Sequence, residues 1–542
     1  MAQTIYHGGT ILTVDVADRV AEAVLVSDGR IAAVGTLGEI EAAAAPGAER
    51  RDLGGRTMIP GFIDPHGHFP DSGFLKLHRA DLASPPIGDC HTIADVLGRL
   101  RARAADTPPG EWVIGSLFEP GGLAEKRFPT RAELDAVSTD HPVWVVHVSG
   151  HAGAANSRAL AYRGVDRDTP DPAGGRFGRD AGGDLDGLLD GMAAMGELGD
   201  SEFQITYERF CSAFAAAAEE YLAHGVTLAQ NAWATRQLLS YFGEIAATGT
   251  PEIDVMVLPA GFLEPRLSDG ELGIPLPAPE SGIHLGPRKL FGDGSFHMQT
   301  ACLTQPYHRP LNGQAGYRCE LAVTREQMVK RIGKLHGMGF QCHIHANGDA
   351  TADLMLDAIE DVQCGNRRDD HRHTFIHAQT LREDQLDRMA AMGVSVSFFP
   401  AHIHYWGDYH RDVTLGPDRV GDMCPTRWAA DRGIRFTIHN DAQVTPTRPL
   451  HLMWCAVNRR SFSGAEIGAH QALTPAEALR AHTADAAWQV FQETERGSIE
   501  PGKRADLAIL ERNPLADAAA IREIRVDETI VAGETRYRRD AA

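Results

Sequence analysis

Strand-like and helix-like segments alternate through the middle of the chain, and this alternation limits the possible folds more than any other feature. Amphipathic stretches at 325–338, 350–362 and 384–392 predict helices between short apolar runs. Such alternation indicates parallel βα units, and about eight strands is the number in a (β/α)8 TIM-like barrel. The predicted strands are Met58–His66, Gly225–Gln230, Ile253–Leu258, Arg288–Phe291, Gln341–His345, Thr374–His377, Val394–Phe399 and Arg435–His439.

Both ends of the chain have a different, β-rich texture. A hairpin turn at Asp28-Gly29 and another at Ala532-Gly533-Glu534 each separate short β-rich runs. We therefore expect residues 1–57 and 485–542 to form one small β-sandwich, flanking a barrel of residues 58–484. Two separate small terminal domains are the alternative.

The segment of about residues 70–211 is too long for one connection between a strand and the next. It contains its own strand-like runs at Trp112–Ile114 and Val143–His147, and a Gly/Asp-rich patch at 172–190. We interpret it as an inserted α/β subdomain after the first barrel strand, which helps to cover the barrel mouth.

Composition narrows the class of partner. The formal net charge is -21 and no Lys/Arg cluster is evident, which argues against nucleic acid and against an anionic membrane surface. The eight cysteines are scattered without a CxxC pair, so reduced thiols and a cytoplasmic location are expected. The sequence shows no signal-peptide pattern and no apolar run of membrane-spanning length. A small-molecule substrate is therefore expected, and a homodimer is a guess from fold class alone.

Candidate metal ligands follow the predicted strands. His66 and His68 end the first apolar run, and residues i and i+2 of a strand point to the same side, so both imidazoles are predicted to face one ion. Further candidates lie at or near the ends of later strands, in order along the chain, except that Lys289 sits slightly earlier in its strand. A single histidine of this kind is more typical of a structural hydrogen bond, but the ordered set favours a metal site. The later candidates are Lys289, His345, His377 and Asp441.

Several motifs together resemble one family. They are Pro60-Gly61-Phe62-Ile63-Asp64-Pro65-His66-Gly67-His68, Lys289-Leu290-Phe291-Gly292-Asp293-Gly294-Ser295, His345-Ala346-Asn347-Gly348-Asp349, His377-Ala378-Gln379, His439-Asn440-Asp441, His147-Val148-Ser149-Gly150-His151 with Asn156-Ser157, and the Gly497–Leu507 segment. Taken together, they resemble the amidohydrolase superfamily and, within it, the amidohydrolase-3 (YtcJ-like) branch. The resemblance covers nearly the whole chain and implies the barrel with its terminal sandwich.

The resemblance also implies a ligand set. By it, His66, His68 and Asp441 bind the more buried ion, and His345 with His377 bind a second. Lys289 matches the family lysine that can be carbamylated to bridge two ions, whereas an unmodified lysine would leave a site for one ion. One or two divalent ions are thus expected, with zinc as the expected metal. Two departures are Ile376, where many relatives carry Glu, and His439-Asn440, where many carry small residues.

The implied activity is hydrolysis of an amide-type, non-peptide C–N bond by a metal-activated hydroxide, with Asp441 as general acid and base. An alternative on the same fold is metal-assisted cyclisation with loss of water, forming a benzoxazole-type heterocycle in natural-product biosynthesis. A metal-free scaffold protein is a third alternative, although every candidate ligand is retained. Neither a GxSxG elbow nor a P-loop is present.

Candidate substrate-binding residues come from two regions. His151 and Asn156 belong to the inserted segment, and the resemblance places them near the mouth of the site. The others follow the seventh and eighth strands, where specificity loops belong in a barrel. The stretch 402–406 is interpreted either as an aromatic wall for a planar substrate or as a packed loop. These residues are His402, Trp406, His439 and Arg459.

Overall fold

A computed structural model of the chain describes residues 3–172, 175–199, 205–249, 251–268, 270–274, 277–310 and 313–539. Parts of the expected insertion, at residues 173, 174 and 200–204, lie outside the described residues.

Eight parallel strands follow one another in chain order and form the centre of the molecule. The first three pair in one sheet, which Ile283–Leu285 extends, and the other five pair in a second sheet. An isolated parallel bridge between Ala260 and Lys289 connects the two sheets. This is a TIM-barrel-like α/β fold, although no strand pairing among the described residues closes strand eight onto strand one. Strands one to eight are Phe62–Ile63, Val226–Ala234, Asp254–Pro259, Arg288–Phe291, Cys342–Ala346, Thr374–His377, Ser395–Phe398 and Phe436–Ile438.

The predicted first strand is in fact two strands in different sheets. Thr57–Pro60 pairs with the C-terminal strand Leu507–Leu510, whereas Phe62–Ile63 pairs with strand two. The chain changes sheets at Gly61, where a Cβ would lie 2.4 Å from the Thr227 side chain, so only glycine fits.

His66 and His68 consequently follow strand one rather than lying in it. The prediction that they occupy positions i and i+2 of a strand was wrong, but both imidazoles still face one point, because their Nε2 atoms lie 3.5 and 3.2 Å from Asp441 Oδ1. Backbone hydrogen bonds of the loop hold them instead: the Asp441 N–H donates to the His66 carbonyl oxygen, and the His68 N–H donates to the Ala442 carbonyl oxygen.

The two ends of the chain meet in one eight-stranded sheet. Thr57–Pro60 lies between Gln3–Leu12 and Leu507–Leu510, so it joins N-terminal to C-terminal strands. Buried side chains from both ends, including Tyr6, Val24 and Ile530, share one core cluster. The strands of this sheet are Gln3–Leu12, Val20–Ser27, Arg30–Gly35, Glu49–Asp52, Thr57–Pro60, Leu507–Leu510, Val526–Val531 and Glu534–Arg538.

A separate six-stranded sheet is built from the segment between strands one and two. It has its own apolar cluster, and its side chains Leu117 and Val148 pack beside Val444, three residues after Asp441. The inserted sheet therefore contacts the loop that follows strand eight. Its strands are Ala80–Asp81, Val113–Phe118, Val143–His147, Ala152–Ala155, Arg176–Arg179 and Leu185–Asp190.

Helices cover the parallel strands and contribute most of the large apolar core. Arg325–Gly337, for example, begins after a Thr324 cap whose hydroxyl accepts from the Gln327 N–H. The helices are Leu37–Ala43, Asp71–His78, Ile93–Ala105, Arg131–Asp135, Ser157–Tyr162, Met192–Gly199, Tyr207–Ala223, Arg236–Thr248, Glu264–Ser268, Arg325–Gly337, Asp349–Gly365, Glu383–Met392, Ala401–Tyr409, Thr426–Asp431, Pro449–Asn458, Pro475–Ala481 and Ala484–Gln489.

A buried ion-pair network ties strand three to the C-terminal segment. Asp254 accepts from Arg496 at 2.6 Å and from Arg504 at 3.1 Å, and Arg496 also lies 3.1 Å from Asp506. The Asp254 and Arg496 side chains are 1% and 2% exposed, so each charge depends on its partners for compensation.

The structure corrects the expectation that all cysteines are reduced thiols. Cys302 and Cys319 form a disulfide, because the backbone pairing of Leu303 with Arg318 brings the two segments together. The other six cysteines are free. Among the described residues, no helix has both the length and the apolar content to cross a bilayer.

Candidate active site at the ends of the parallel strands

Three candidate ligands converge at the carboxyl ends of strands one, six and eight. The ligand atoms of His66, His377 and Asp441 all lie within 4.8 Å of one another, and all three residues are buried. The imidazole Nε2 atoms of His66 and His68 lie 3.5 and 3.2 Å from Asp441 Oδ1. Residues distant in sequence therefore surround one carboxylate.

The remaining two candidates border this cluster. Lys289 Nζ lies 3.4 Å from His66 Nε2, and His345 Nδ1 lies 3.1 Å from His377 Nε2. The structure thus brings all six predicted ligands to one place. Gly67 is required there as well, because a Cβ would lie 2.3 Å from the buried Asp64 carboxylate.

Burial sets the protonation states in the cluster. It lowers the pKa of Lys289 to about 7, although Asp441 opposes the shift. Burial and then the Lys289 charge lower the pKa of His66, and burial and then His345 lower that of His377. Burial alone would raise the pKa of Asp441, but the hydrogen bond and charge of His68, together with the charges of His439 and Lys289, outweigh it and the pKa is lowered. Neutral imidazoles facing an ionised carboxylate are the form that binds a cation.

The donor set therefore fits a divalent cation. Asp441 Oδ1 is buried, and the Nε2 atoms of His66 and His68 face it at 3.5 and 3.2 Å. Burial lowers the pKa of His66, so its imidazole is neutral and can direct a lone pair at a cation beside Oδ1. Burial would lower the pKa of His68, but Asp441 outweighs it and the pKa is raised, so a cation bound by His68 would replace a proton. Nitrogen and carboxylate ligands of this kind suit zinc and similar ions.

Two of these residues have unusual backbone conformations. His377 has a φ of +73° and Asp441 a φ of +52°, in the left-handed region that non-glycine residues rarely adopt. Such conformations cost of order 1–3 kcal/mol and persist where surrounding contacts enforce them, often at functional sites. The strain supports a functional role for these two positions.

A chain of hydrogen bonds fixes the imidazole tautomers. The Gly294 carbonyl oxygen only accepts, so His345 Nε2 must carry a proton and donate to it at 3.0 Å. His345 Nδ1 is then an acceptor, which leaves Nδ1 of His377 and Nδ1 of His439 as acceptors in turn. The chain runs from Ser397 Oγ to His439 Nδ1 at 2.9 Å, from His439 Nε2 to His377 Nδ1 at 3.1 Å, and from His377 Nε2 to His345 Nδ1 at 3.1 Å.

His439, which was predicted to bind substrate, therefore contacts a candidate metal ligand directly. A cation that replaced the proton between His377 and His345 would meet His377 Nε2 and His345 Nδ1. Thr437 extends the chain at its far end, because its hydroxyl donates to Ser397 Oγ at 2.7 Å.

The stretch 402–406 is a buried helix, Ala401–Tyr409, rather than a loop. His402 and Trp406 are four residues apart, so they share a face of that helix. Both rings contact His297, at 5.0 and 4.3 Å between centroids. Phe399 lies between His402 and His439, at 4.5 and 5.0 Å, so this aromatic group packs against the cluster.

Two predicted substrate ligands have structural roles instead. Asn156 is fully buried, caps the helix Ser157–Tyr162, and donates to the carbonyl oxygens of Ser138 and His141. Its side-chain groups are therefore used within the insertion.

Arg459 is also fully buried. Its guanidinium donates to the carbonyl oxygens of Ile467, Cys424 and Met423, so it holds three loops together and is not directed at the site. His151 differs from both, because a positive charge on it would lower the pKa of the candidate ligand His345. Burial lowers the pKa of His151 itself to about 4.

Sequence reasoning missed a polar residue near the aromatic group formed by His402, Trp406 and His297. Glu119 Oε2 lies 3.4 Å from His147 Nε2, and the His147 ring lies 6.3 Å from His297. Burial would raise the pKa of Glu119, but His147 outweighs it and holds the pKa at about 2. Glu119 directly follows the strand Val113–Phe118, so the rule used for the metal ligands was available for it too.

Comparisons with known proteins agree with this geometry. A family model described as "Amidohydrolase family" matches residues 49–537. The chain is 32% identical to an N-substituted formamide deformylase of Arthrobacter pascens, with 99% of each chain covered. It is 28% identical to the putative amidohydrolase YtcJ of Bacillus subtilis, again with 99% of each covered.

Solved structures show the same fold. An uncharacterized metal-dependent hydrolase from Pyrococcus horikoshii OT3 matches with a TM-score of 0.76 at 24% identity, covering 96% of this chain and 99% of that one. A second, from Pyrococcus furiosus, matches with a TM-score of 0.73 at 23% identity, covering 95% and 100%. With a family model across most of its length and a relative 32% identical over 99% of it, this chain belongs to the amidohydrolase family.

Proposed function

We propose that this protein is a metal-dependent hydrolase that cleaves the amide-type C–N bond of an N-substituted small molecule, with N-substituted formamides as the first substrate class to test. The observation that carries the proposal is the buried convergence of His66, His377 and Asp441 with Lys289 beside them. The relative named N-substituted formamide deformylase supports the choice of substrate class.

The proposed ligands divide into two groups. His66, His68 and Asp441 would hold one ion, and His345 with His377 a second, with zinc as the expected metal. A bound divalent ion would supply Lewis-acid chemistry, lowering the pKa of water towards 7 and polarising a carbonyl. A carbamylated Lys289 would place a carboxylate between the two ions, and burial already favours the neutral amine that carbamylation requires.

Asp441 carries the proton transfers in this proposal. Its lowered pKa keeps the carboxylate ionised, so a carboxylate oxygen can accept a proton from the attacking water. The same oxygen then returns the proton to the leaving nitrogen, which departs as an amine.

The proposal includes a closed ring of the eight parallel strands. Its support is that the loop after strand eight is hydrogen-bonded to the loop after strand one, through the Asp441 N–H to His66 and the His68 N–H to Ala442. A closed ring would hold the ligands that follow strands one and eight at fixed positions relative to each other.

The test is hydrolysis of N-substituted formamides by metal-replete and chelator-treated enzyme. We expect formate and amine in equal amounts, loss of activity on chelation, and recovery when zinc is added back. Turnover that survives complete metal removal would contradict the proposal. An o-hydroxyaryl amine ester converted to a benzoxazole, with no formamide hydrolysed, would favour the cyclisation alternative instead.

A further inference from the structure

A cavity of about 420 Å³ lies between the inserted sheet and the loops that carry the candidate ligands. Ser116, Leu117 and Trp144 line it from the inserted sheet. Trp233 lines it from near the end of strand two, and Gln443 lines it from the loop after strand eight. The volume is in the range of small-molecule sites.

The barrel wall of this cavity is continuous with the metal-ligand loops. Gln443 is two residues after Asp441. Trp233 directly follows Ala232, whose N–H donates to the carbonyl oxygen of Gly67, between the two histidines of the motif. The Trp233 ring also lies 4.9 Å from Phe291, whose ring lies 5.3 Å from His345. A group in the cavity is thus adjacent to the reacting centre.

The lining favours an apolar ring. Indole rings from both walls and aliphatic side chains such as Leu117 and Val148 provide the apolar part of the surface, beside the polar side chains of Ser116, His147 and Gln443. The charged residues Asp71 and Arg79 have opposite formal charges, which cancel. A flat apolar group would be well accommodated, whereas a charged one would find no net compensation.

Two polar atoms of the lining point to a ligand. Trp144 Nε1 and Gln443 Oε1 are buried and have no hydrogen-bond partner among the described residues. Buried polar groups are nearly always paired, so each of these is explained by a partner that binds from outside. Gln443 Oε1 accepts and is closest in sequence to Asp441, which makes it suited to an amide N–H.

We propose that this cavity holds the substituent on the substrate nitrogen and selects N-substituents that carry an apolar ring. The inference rests on the proposed function, because Asp441 returns its proton to the leaving nitrogen and the cavity opens beside the Asp441 loop. Trp144 and Trp233 would enclose the ring, and Gln443 would accept the amide N–H. The substrate class is therefore secondary formamides of ring-bearing amines.

The first experiment compares N-phenethylformamide with N-methylformamide, which share the formyl group and differ in the substituent. Burial of a phenyl ring predicts a kcat/KM about 10- to 100-fold higher for the phenethyl substrate. Trp233→Leu should abolish most of this preference. The matched control is Trp428→Leu, because Trp428 lines a separate cavity of about 270 Å³ and should leave the preference intact.

A second variant fills the cavity rather than opening it. Ser116→Leu places a larger side chain in the insertion wall, where Ser116 is 3% exposed. We expect kcat/KM for N-phenethylformamide to fall about tenfold or more, with less than about a twofold change for N-methylformamide. Circular dichroism checks that both variants fold. Equal losses on both substrates in a folded variant would overturn the cavity assignment.

Binding separates this inference from the proposed function. Calorimetry on the Asp441→Asn variant measures affinity for the two formamides without turnover. Tighter binding of N-phenethylformamide that Ser116→Leu removes would support the cavity, even if wild-type enzyme hydrolyses neither compound. Hydrolysis of both compounds with no size preference in rate or affinity would leave the hydrolase proposal standing and overturn this one.

Discussion

At the scale of single residues, the site contains several features that are energetically unfavourable in an ordinary protein core. His377 and Asp441 occupy left-handed backbone conformations, and Lys289 is a fully buried amine with a pKa lowered to about 7. Each feature is unfavourable in an ordinary protein core. Each is useful in a cation site, because it helps a side chain to direct a lone pair at the place where the cation would bind.

The Asp441 role predicts a large loss of rate on a nearly isosteric change. Asp441→Asn should lower kcat by about 10²- to 10⁴-fold, because the amide cannot take up and return the proton. Metal content is measured in the same sample, since Asp441 is also a proposed ligand. Asp422→Asn, at a half-exposed pair with His470, is the control. Near wild-type turnover with metal bound would show that Asp441 is not the acid–base group.

The Lys289 role predicts a change in metal stoichiometry. Elemental analysis should give two ions per chain for protein grown with excess zinc and bicarbonate, and one ion for Lys289→Met, because the bridging carboxylate cannot form. Lys76→Met, at an exposed pair with Glu219, should retain two. One ion in both the wild type and Lys289→Met would refute the carbamate bridge.

At the scale of elements, the seventh and eighth strands support the ligands from below. Ser397 on strand seven and Thr437 on strand eight continue the hydrogen-bond chain that reaches His377 through His439. These strands therefore do more than fill the core, because they orient a ligand on a neighbouring strand.

This arrangement predicts that Ser397→Ala weakens metal binding without touching a ligand. The loss of the hydroxyl frees the His439 tautomer, so we expect zinc affinity to fall about 10-fold or more in competition with a chelator. Ser395→Ala is the matched control, because Ser395 lies on the same strand and pairs with Thr374 instead. Equal affinities for the two variants would contradict the orienting role.

Elements with a strong local pattern were predictable, and those decided by long-range contacts were not. The helix Arg325–Gly337 has a cap and an apolar face in its own sequence, and it was predicted within a residue. The first strand was not, because the change of sheet at Gly61 depends on Thr227 and Asp506, which are far away in the chain. The Cys302–Cys319 disulfide likewise depends on a loop pairing with no sequence motif.

The candidate site also contains some residues that could be predicted from the sequence and others that could not. The six candidate ligands could be found because each belongs to a recognisable motif in or just after a strand, and the structure brings them together. Asn156 was chosen from the family resemblance and Arg459 from its position after the eighth strand. Their partners, mostly backbone carbonyl groups, leave no trace in the sequence. Glu119 was missed because its partner His147 and the nearby His297 come from other segments.

At the scale of the whole molecule, buried ion pairs connect the barrel to the C-terminal segment and predict a pH-dependent stability. Burial alone would raise the pKa of Asp254, but Arg496, His284 and Arg504 outweigh it and hold the pKa below its usual value. A depressed folded-state pKa adds stability above the unfolded value near pH 4, and that stability is lost as the pH falls through the folded value.

Asp254→Asn should therefore destabilise the protein by about 3–5 kcal/mol at neutral pH, because Arg496 stays buried and charged but loses one of its two carboxylate partners. The gap between variant and wild type should narrow as the pH falls below about 4. Unfolding midpoints measured at several pH values give the comparison. Asp369→Asn, at the exposed pair with Arg367, should show no such gap. A gap that does not change with pH would mean that the ionised carboxylate is not the stabilising group.

The shared terminal sheet has a consequence for biosynthesis. Thr57–Pro60 needs Leu507–Leu510 on one side, and the ribosome makes those two segments some 450 residues apart. During translation, the apolar N-terminal strands have one unpaired edge until the C-terminal strand is made. An unpaired strand edge is prone to pair with other nascent chains. Chaperone demand should therefore last until Leu507–Leu510 has left the ribosome, and chains stalled before that segment should aggregate more readily than chains stalled after it.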